Sequence, residues 1–312
     1  MDKPKATPKD FFLWAGAMIA LYAGVSSFIG LLFDYINYAF PDPSLVYYGY
    51  NPYQGSVSYE MASLIVLAPL LLILMRVIRA GIQADPTRRE IWVRRWALFL
   101  VLFVAGASIV VDLIVLINTF LQGEELSVRF LLKVVIVLLV ASAGFLHFIS
   151  DLFGYWEKKP EYAKMVSWAV AALVVLTIAS GFVIIGSPQT QRQYRLDEQR
   201  LGDLQQIQSQ IVYYYQQKTV LPAQLSDLDD SVSYFTIPND PESNQPYGYT
   251  KKAGLNFELC ATFSQPSQLG PKDMQPVYSD LPAPEKWQHG AGKTCFLRTI
   301  DPQLYPQVKN PQ

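Results

Sequence analysis

Charge is in short supply in this chain. Of its 312 residues only 16% are Asp, Glu, Lys or Arg, against about 25% in an ordinary soluble domain. Neither sign is in excess: 25 Lys and Arg face 26 Asp and Glu, for a formal net charge of -1. Without a basic surplus there is little to neutralise phosphates, so nucleic acid is excluded as an expected partner. Two cysteines and two histidines are too few for a zinc cluster or a disulfide-dense scaffold. Catalytic signatures are lacking too. There is no Gly-x-Ser-x-Gly, and Gly292-Lys293-Thr294 has no glycine at the upstream spacing of a phosphate loop. No nucleophile stands beside a base, so the expectation is a protein that is not an enzyme and has no cofactor and no metal centre.

Hydrophobic residues, 51% of the chain, take the place of charge, and they are unevenly distributed. Long apolar runs lie before about residue 187, whereas 13 of the 21 prolines lie after it. A helix needs about 20 apolar residues to cross roughly 30 Å of hydrocarbon. Five segments satisfy this: Phe11 to Phe33, Met61 to Ile78, Trp96 to Phe120, Phe130 to Ile149, and Val166 to Ile185. The first follows Lys3, Lys5 and Lys9, like a secretory signal, but its apolar stretch is too long and no small-x-small cleavage site precedes Asp34. It reads as a retained span.

Loop cations set the expected orientation, because Lys and Arg stay on the cytoplasmic side. They occur before span one, between spans two and three (Arg79, Arg88, Arg89, Arg94, Arg95), and between spans four and five (Lys158, Lys159, Lys164). The stretch from Asp34 to Tyr59 has none, and the turn after span three has only Arg129. The amino terminus is therefore expected inside and everything after about Ser187 outside. Tyr47, Tyr48, Tyr50, Tyr53 and Tyr59 suit an outer interfacial aromatic belt.

Asp112 is the most costly residue of the bundle, since a carboxylate in mid-span costs about 2.5–3.5 kcal/mol on insertion scales. It lies about two turns below the outer end of span three, and Lys133 lies about one turn below the outer start of span four. The expectation is an intramembrane ion pair, Asp112 with Lys133, joining two antiparallel helices; a proton or cation relay is the alternative. His147 falls at the inner end of span four as an interfacial imidazole. Gly16, Ala17, Ala20, Ala23 and Gly24, with Gly106, Ala107 and Ser108, permit close helix packing.

The remainder, 188–312, changes pattern. Leu201, Leu204, Ile207, Ile211 and Tyr214 recur at steps of three and four between Gln191 and Gln217, which predicts an amphipathic helix. Turn-rich sequence follows: Leu221-Pro222, then Leu225 and Leu228 at helical spacing, then Asp240-Pro241 and Pro246-Tyr247-Gly248-Tyr249. Phe257, Leu259, Ala261 and Phe263 alternate as a half-buried strand, and Cys295-Phe296-Leu297 reads as a second one. Parts of 265–292, and the end after Arg298, read as disordered. Cys260 and Cys295, both on the side expected to be oxidising, are expected to form a disulfide closing a loop of about 35 residues. His289 is the module's only imidazole.

An apolar helix followed by an amphipathic one, then Leu221-Pro222, Leu225, Leu228, Asp240-Pro241, Pro246-Tyr247-x-Tyr249 and an aromatic strand, resembles type IV pilins and type II secretion pseudopilins over Val166 to Phe263. The resemblance implies a long helix laid across a small antiparallel sheet. In some members the loop near Asp-Pro helps to bind calcium, and here Asp240, Glu242 and Asn244 offer oxygens, although a solvated turn is the plainer reading. The chain departs from the pattern in having no processing site and no early helix Glu. Phe11-Phe12-Leu13, Asn37-Tyr38-x-Phe40-Pro41-Asp42, Tyr50-Asn51-Pro52-Tyr53, Arg88-Arg89 through Trp96, Asp112-Leu113 and Phe130 to Lys133 resemble, in that order, an uncharacterised bacterial multi-helix membrane domain of unknown function.

The expected fold is thus an α-helical integral membrane bundle, 1–187, followed by an extracytoplasmic α+β pilin-like module, 188–312. The expected function is a non-enzymatic anchor and interaction protein of the bacterial envelope in the plasma membrane, in contact with lipid and with another envelope protein or a second copy of itself. A transport or channel component using Asp112 and Lys133, and an envelope sensor, are the alternatives.

Overall fold

The computed structural model describes residues 6–40, 56–229, 235–267 and 287–306. The chain forms two compact units, Met1–Ile185 and Gly186–Gln312.

The first unit is helical: α1 (Pro8–Ala39), α2 (Ser56–Ala84), a 3-10 turn η1 (Pro86–Glu90), α3 (Trp92–Leu121), α4 (Val128–Leu152), the short α5 (Tyr155–Lys158) and α6 (Pro160–Ile185). The five long helices are all long and apolar enough to cross a membrane, and all extend beyond the runs read from sequence. Their polar ends are capped locally. Thr7 accepts from the Asp10 amide while its own amide and hydroxyl donate to Asp10 Oδ2, a capping box that starts α1 ahead of the apolar run. Asp85 caps η1 and Ser127 caps α4.

Small residues set the packing of α1 on α2. Ala17 and Ala20 are buried, Leu74 approaches Gly16 and Leu67 approaches Gly24. In the same way Phe145 of α4 lies against Gly106 of α3. Two apolar clusters result, one around Trp14, Ile78, Val93 and Val101, the other around Leu31, Val57, Met61, Leu64 and Ile185. Large side chains also point away from the unit, among them Phe103, Trp168 and Val183, the last 85% exposed. Such a surface is stable against hydrocarbon, where each helix satisfies its own backbone.

The second unit is built on α7 (Pro188–Lys218), capped by Ser187 Oγ and ended by Thr219 at φ +60°. Leu204, Ile207, Ile211 and Tyr215 form its buried stripe. They pack on an antiparallel sheet in the order β1 (Gly248–Lys251), β2 (Asn256–Phe263), β3 (Gly292–Thr299). Phe257, Leu259, Ala261 and Phe263 of β2 join this core, as do Tyr249 of β1 and Phe296 of β3. Each large apolar side chain among them, when fully buried, contributes about 1.5–3 kcal/mol.

Three expectations need correction. Pro246-Tyr247-Gly248-Tyr249 does not stay a turn: Gly248 and Tyr249 enter β1, because they pair with Cys260 and Leu259. The chain after Arg298 is also ordered as far as residue 306. Ile300 is buried, its amide donates to the Leu255 carbonyl at 3.0 Å, and Tyr305 packs against the core. The Leu225–Leu228 turn is 3-10 rather than α. Tyr47, Tyr48, Tyr50 and Tyr53, and most of the stretch read as disordered, lie outside the described residues, whereas Tyr59 is exposed.

Candidate functional site

In the first unit, polar side chains gather at the end of the bundle where α1 stops and α2 starts. Asp34 is 8% exposed. The next residue, Tyr35, donates its hydroxyl to the Thr177 carbonyl of α6 at 2.6 Å. Glu60 of α2 lies against Gly30 of α1, so close that an added Cβ would stand 2.9 Å from its Oε1, and Oε2 is buried with no hydrogen bond among the described residues. On α6, Gly181 leaves room for Met61 and for the Tyr35 hydroxyl.

Lys133 belongs to this end of the bundle and not to Asp112. Its ammonium sits 5.3 Å from the Phe33 ring centroid on α1, within electrostatic reach of Asp34 and Arg129. Among the described residues no ion pair joins it to Asp112, whose Oδ2 is buried without a hydrogen bond. Depth explains the separation. Asp112 lies nine residues inside the end of α3 and Lys133 five inside the start of α4, so at about 1.5 Å per residue their levels differ by about 6 Å. His147 is held at the opposite end of α4, where its carbonyl accepts from the Trp156 indole and its ring lies beside that indole.

In the second unit the ionisable groups are organised around Arg200 of α7, 4% exposed. Its Nε and Nη2 donate to Asp240 Oδ2 at 2.6 Å and Oδ1 at 3.3 Å, Nη1 to Asp197 Oδ1 at 2.8 Å, and Nη2 to Glu242 at 2.9 Å. Asp197, 2% exposed, also accepts the amides of Ser264 and Gln265. Burial alone would raise the Asp240 carboxyl, but the Arg200 guanidinium and the amides of Ser243 and Glu242 hold it well below the usual carboxylate range. The Asp240 turn, with Asn244 at φ +55°, is thus gathered by a side chain of the protein itself. Two of the three oxygen-bearing side chains considered for calcium, those of Asp240 and Glu242, are engaged by the guanidinium.

The tyrosine motif is structural. Tyr247 donates to Asp203 at 2.6 Å and Tyr249 to the Pro222 carbonyl at 2.8 Å, and burial pushes the Tyr249 hydroxyl up to about 12. His289 stacks on Phe263 at 3.6 Å between centroids, and burial lowers its imidazole.

Cys260 and Cys295 are bonded to each other and are register partners in the β2–β3 ladder. Alternation along β2 puts Phe257, Leu259 and Phe263 toward α7, so the disulfide falls on the other face of the sheet. Gly248, opposite Cys260 on β1, leaves that space open: an added Cβ would lie 3.0 Å from Cys260 Cβ. Glu258 is close to both sulfurs, but disulfide sulfurs are not thiolate ligands.

No pattern in the sequence singled out Asp34, Glu60 or Arg200. For Arg200 a usable signal existed: with Asp197 it occupies the same helical face as Leu204, Ile207 and Ile211, and charge on an apolar stripe needs a partner.

No curated protein and no solved structure matches the chain. No pilin or pseudopilin family model matches the second unit. Residues 10–145, spanning α1 to most of α4, match the model of a family described as a domain of unknown function, DUF5671.

Proposed function

We propose that the protein is a multi-pass membrane anchor that displays its α+β unit outside the cytoplasmic membrane, where that unit docks on another envelope protein or on a second copy. Five apolar helices support the membrane reading, and the alternation of loop cations supports an internal amino terminus. The observation that carries the interaction reading is the build of the second unit: a 31-residue amphipathic helix laid along one face of a three-stranded antiparallel sheet, as pilin-like modules are built. Its conspicuous charges, Arg200, Asp197 and Asp240, are engaged in holding that scaffold together, which favours a binding module over an enzyme.

Photo-crosslinking from Thr262, Lys293 and Leu297 in growing cells tests this reading. Leu297 is 61% exposed. A discrete adduct to one envelope protein or to the chain itself, abolished by Leu297→Asp, is the expected result. Adducts to lipid or to nothing at all three positions would contradict it.

A transport role remains attached to one observation, the Oδ2 of Asp112, buried without a hydrogen bond among the described residues. Asp112-dependent ion flux in reconstituted vesicles is its test.

A further inference from the structure

β3 is an edge of the sheet, and its register fixes which way its backbone groups point. The Cα atoms of Cys260 and Cys295 are 4.0 Å apart, near the roughly 4.5 Å of a pair that exchanges no ladder hydrogen bonds and well short of the roughly 5.5 Å of a bonded pair. Farther along, in the same register, the Ile300 amide does donate to the Leu255 carbonyl at 3.0 Å. Thr294, Phe296 and Arg298 therefore bond to β2, whereas the N–H and C=O groups of Lys293, Cys295, Leu297 and Thr299 point away from it. These four residues are exposed. Among the described residues no strand pairs with that edge. The Arg298 guanidinium donates to the Leu297 carbonyl at 3.1 Å, which leaves that oxygen its second lone pair. The opposite edge differs: β1 has four residues, and Tyr249 and Lys251 reach from it to the carbonyls of Pro222 and Leu221. On β3 the disulfide fastens the strand to β2 and opposes fraying. Lys293 has no ion-pair partner among the described residues, while Glu258, on the same face, is held by Lys252 at 3.2 Å.

We propose that β3 is a docking edge to which a partner envelope protein adds one extended strand. Unpaired backbone donors and acceptors at a two-residue repeat match a peptide in β conformation. The pairing of Gly292–Thr299 with β2 runs one to one without a bulge or a proline, so the open ladder is regular. Lys293 selects an acidic side chain at its end of the added strand. This inference deepens the docking reading above and rests on it.

The test uses the full chain in growing cells with a photo-crosslinking residue at Thr262, Lys293 or Leu297. Read from Thr262, Leu297→Pro should lower the adduct about fivefold or more, because it deletes one outward N–H and leaves a partner carbonyl unpaired, yet it keeps every bond to β2. Leu297→Val, which retains that N–H, should leave the yield within about twofold. Lys293→Pro, at the start of the strand, should act like Leu297→Pro, and a disulfide closed to thiol labelling shows that either proline variant is folded. A second measurement needs no variant: adducts from Lys293 and from Leu297, mapped by peptide sequencing, should fall about four residues apart in one partner segment, since both strands rise about 3.3 Å per residue. A docked helix would place them about nine apart. Equal yields from Leu297→Pro and Leu297→Val, helical spacing of the mapped sites, or adducts confined to β3 of a second copy would each overturn the proposal. No adduct from any of the three positions refutes the docking reading itself, whereas an adduct indifferent to the prolines refutes only the added strand.

Discussion

Arg200 Nε lies 2.6 Å from Asp240 Oδ2, joining the middle of α7 to a turn 40 residues later. Both side chains are largely withdrawn from water, so the contact matters mainly through what its loss leaves behind. Arg200→Met should destabilise the second unit by about 3–5 kcal/mol, because Asp197 and Asp240 would stay buried and uncompensated. Arg200→Lys should recover only part of this, since one ammonium cannot reproduce the guanidinium fork. Urea unfolding of the full chain in detergent, followed by proteolysis of the second unit, measures both.

The same contact has a pH signature. A carboxyl depressed in the folded state contributes stability that is fully present above its unfolded value, about 3.9, and is lost as pH falls through the folded value. Asp240 is such a group. Stability of the second unit should therefore be unaffected by this group between neutrality and about pH 5 and decline below about pH 4, and Asp240→Asn should flatten the acid limb.

Gly248 and the disulfide should behave as one device. Gly248→Val places a side chain against Cys260, with no room at 3.0 Å. The contact with Cys260 Cβ persists in a protein carrying Cys260→Ala and Cys295→Ala, so only the crowding of the valine methyls against Cys260 Sγ, 3.7 Å from the added Cβ, is relieved there and the cost should fall only in part. Loss of the disulfide alone should cost about 2–4 kcal/mol. A thermal double-mutant cycle reads the coupling.

Within the bundle, Asp112 and Lys133 should act independently. The effects of Asp112→Asn and Lys133→Met on detergent thermal stability should add to within about 0.5 kcal/mol. A double variant clearly more stable than the sum of the singles would show that the two side chains do pair.

Much of the fold was legible because it is periodic. The five apolar runs and the stripe from Leu204 to Ile211 could be read at helical spacing, and Phe257 to Phe263 at strand spacing. β1 was hidden because Pro246 and Gly248 carry turn chemistry, while the strand exists through pairing with β2. Lys133 was misassigned for a related reason: α3 does stand beside α4, but Lys133 lies about 6 Å from the level of Asp112 and its side chain reaches Phe33 of α1. Sequence spacing gives depth along one helix and says little about which face of it meets which neighbour. Glu60 against Gly30 and Arg200 against Asp240 are likewise products of tertiary packing.

The central claim, an anchored protein displaying its second unit outside the membrane, is tested most directly by topology. Reporter fusions after Asp85 and after Gln191 in growing cells, one active only in the cytoplasm and one only outside, give the answer. The account predicts a cytoplasmic signal at Asp85 and an external one at Gln191; signals from the same side at both positions would contradict it.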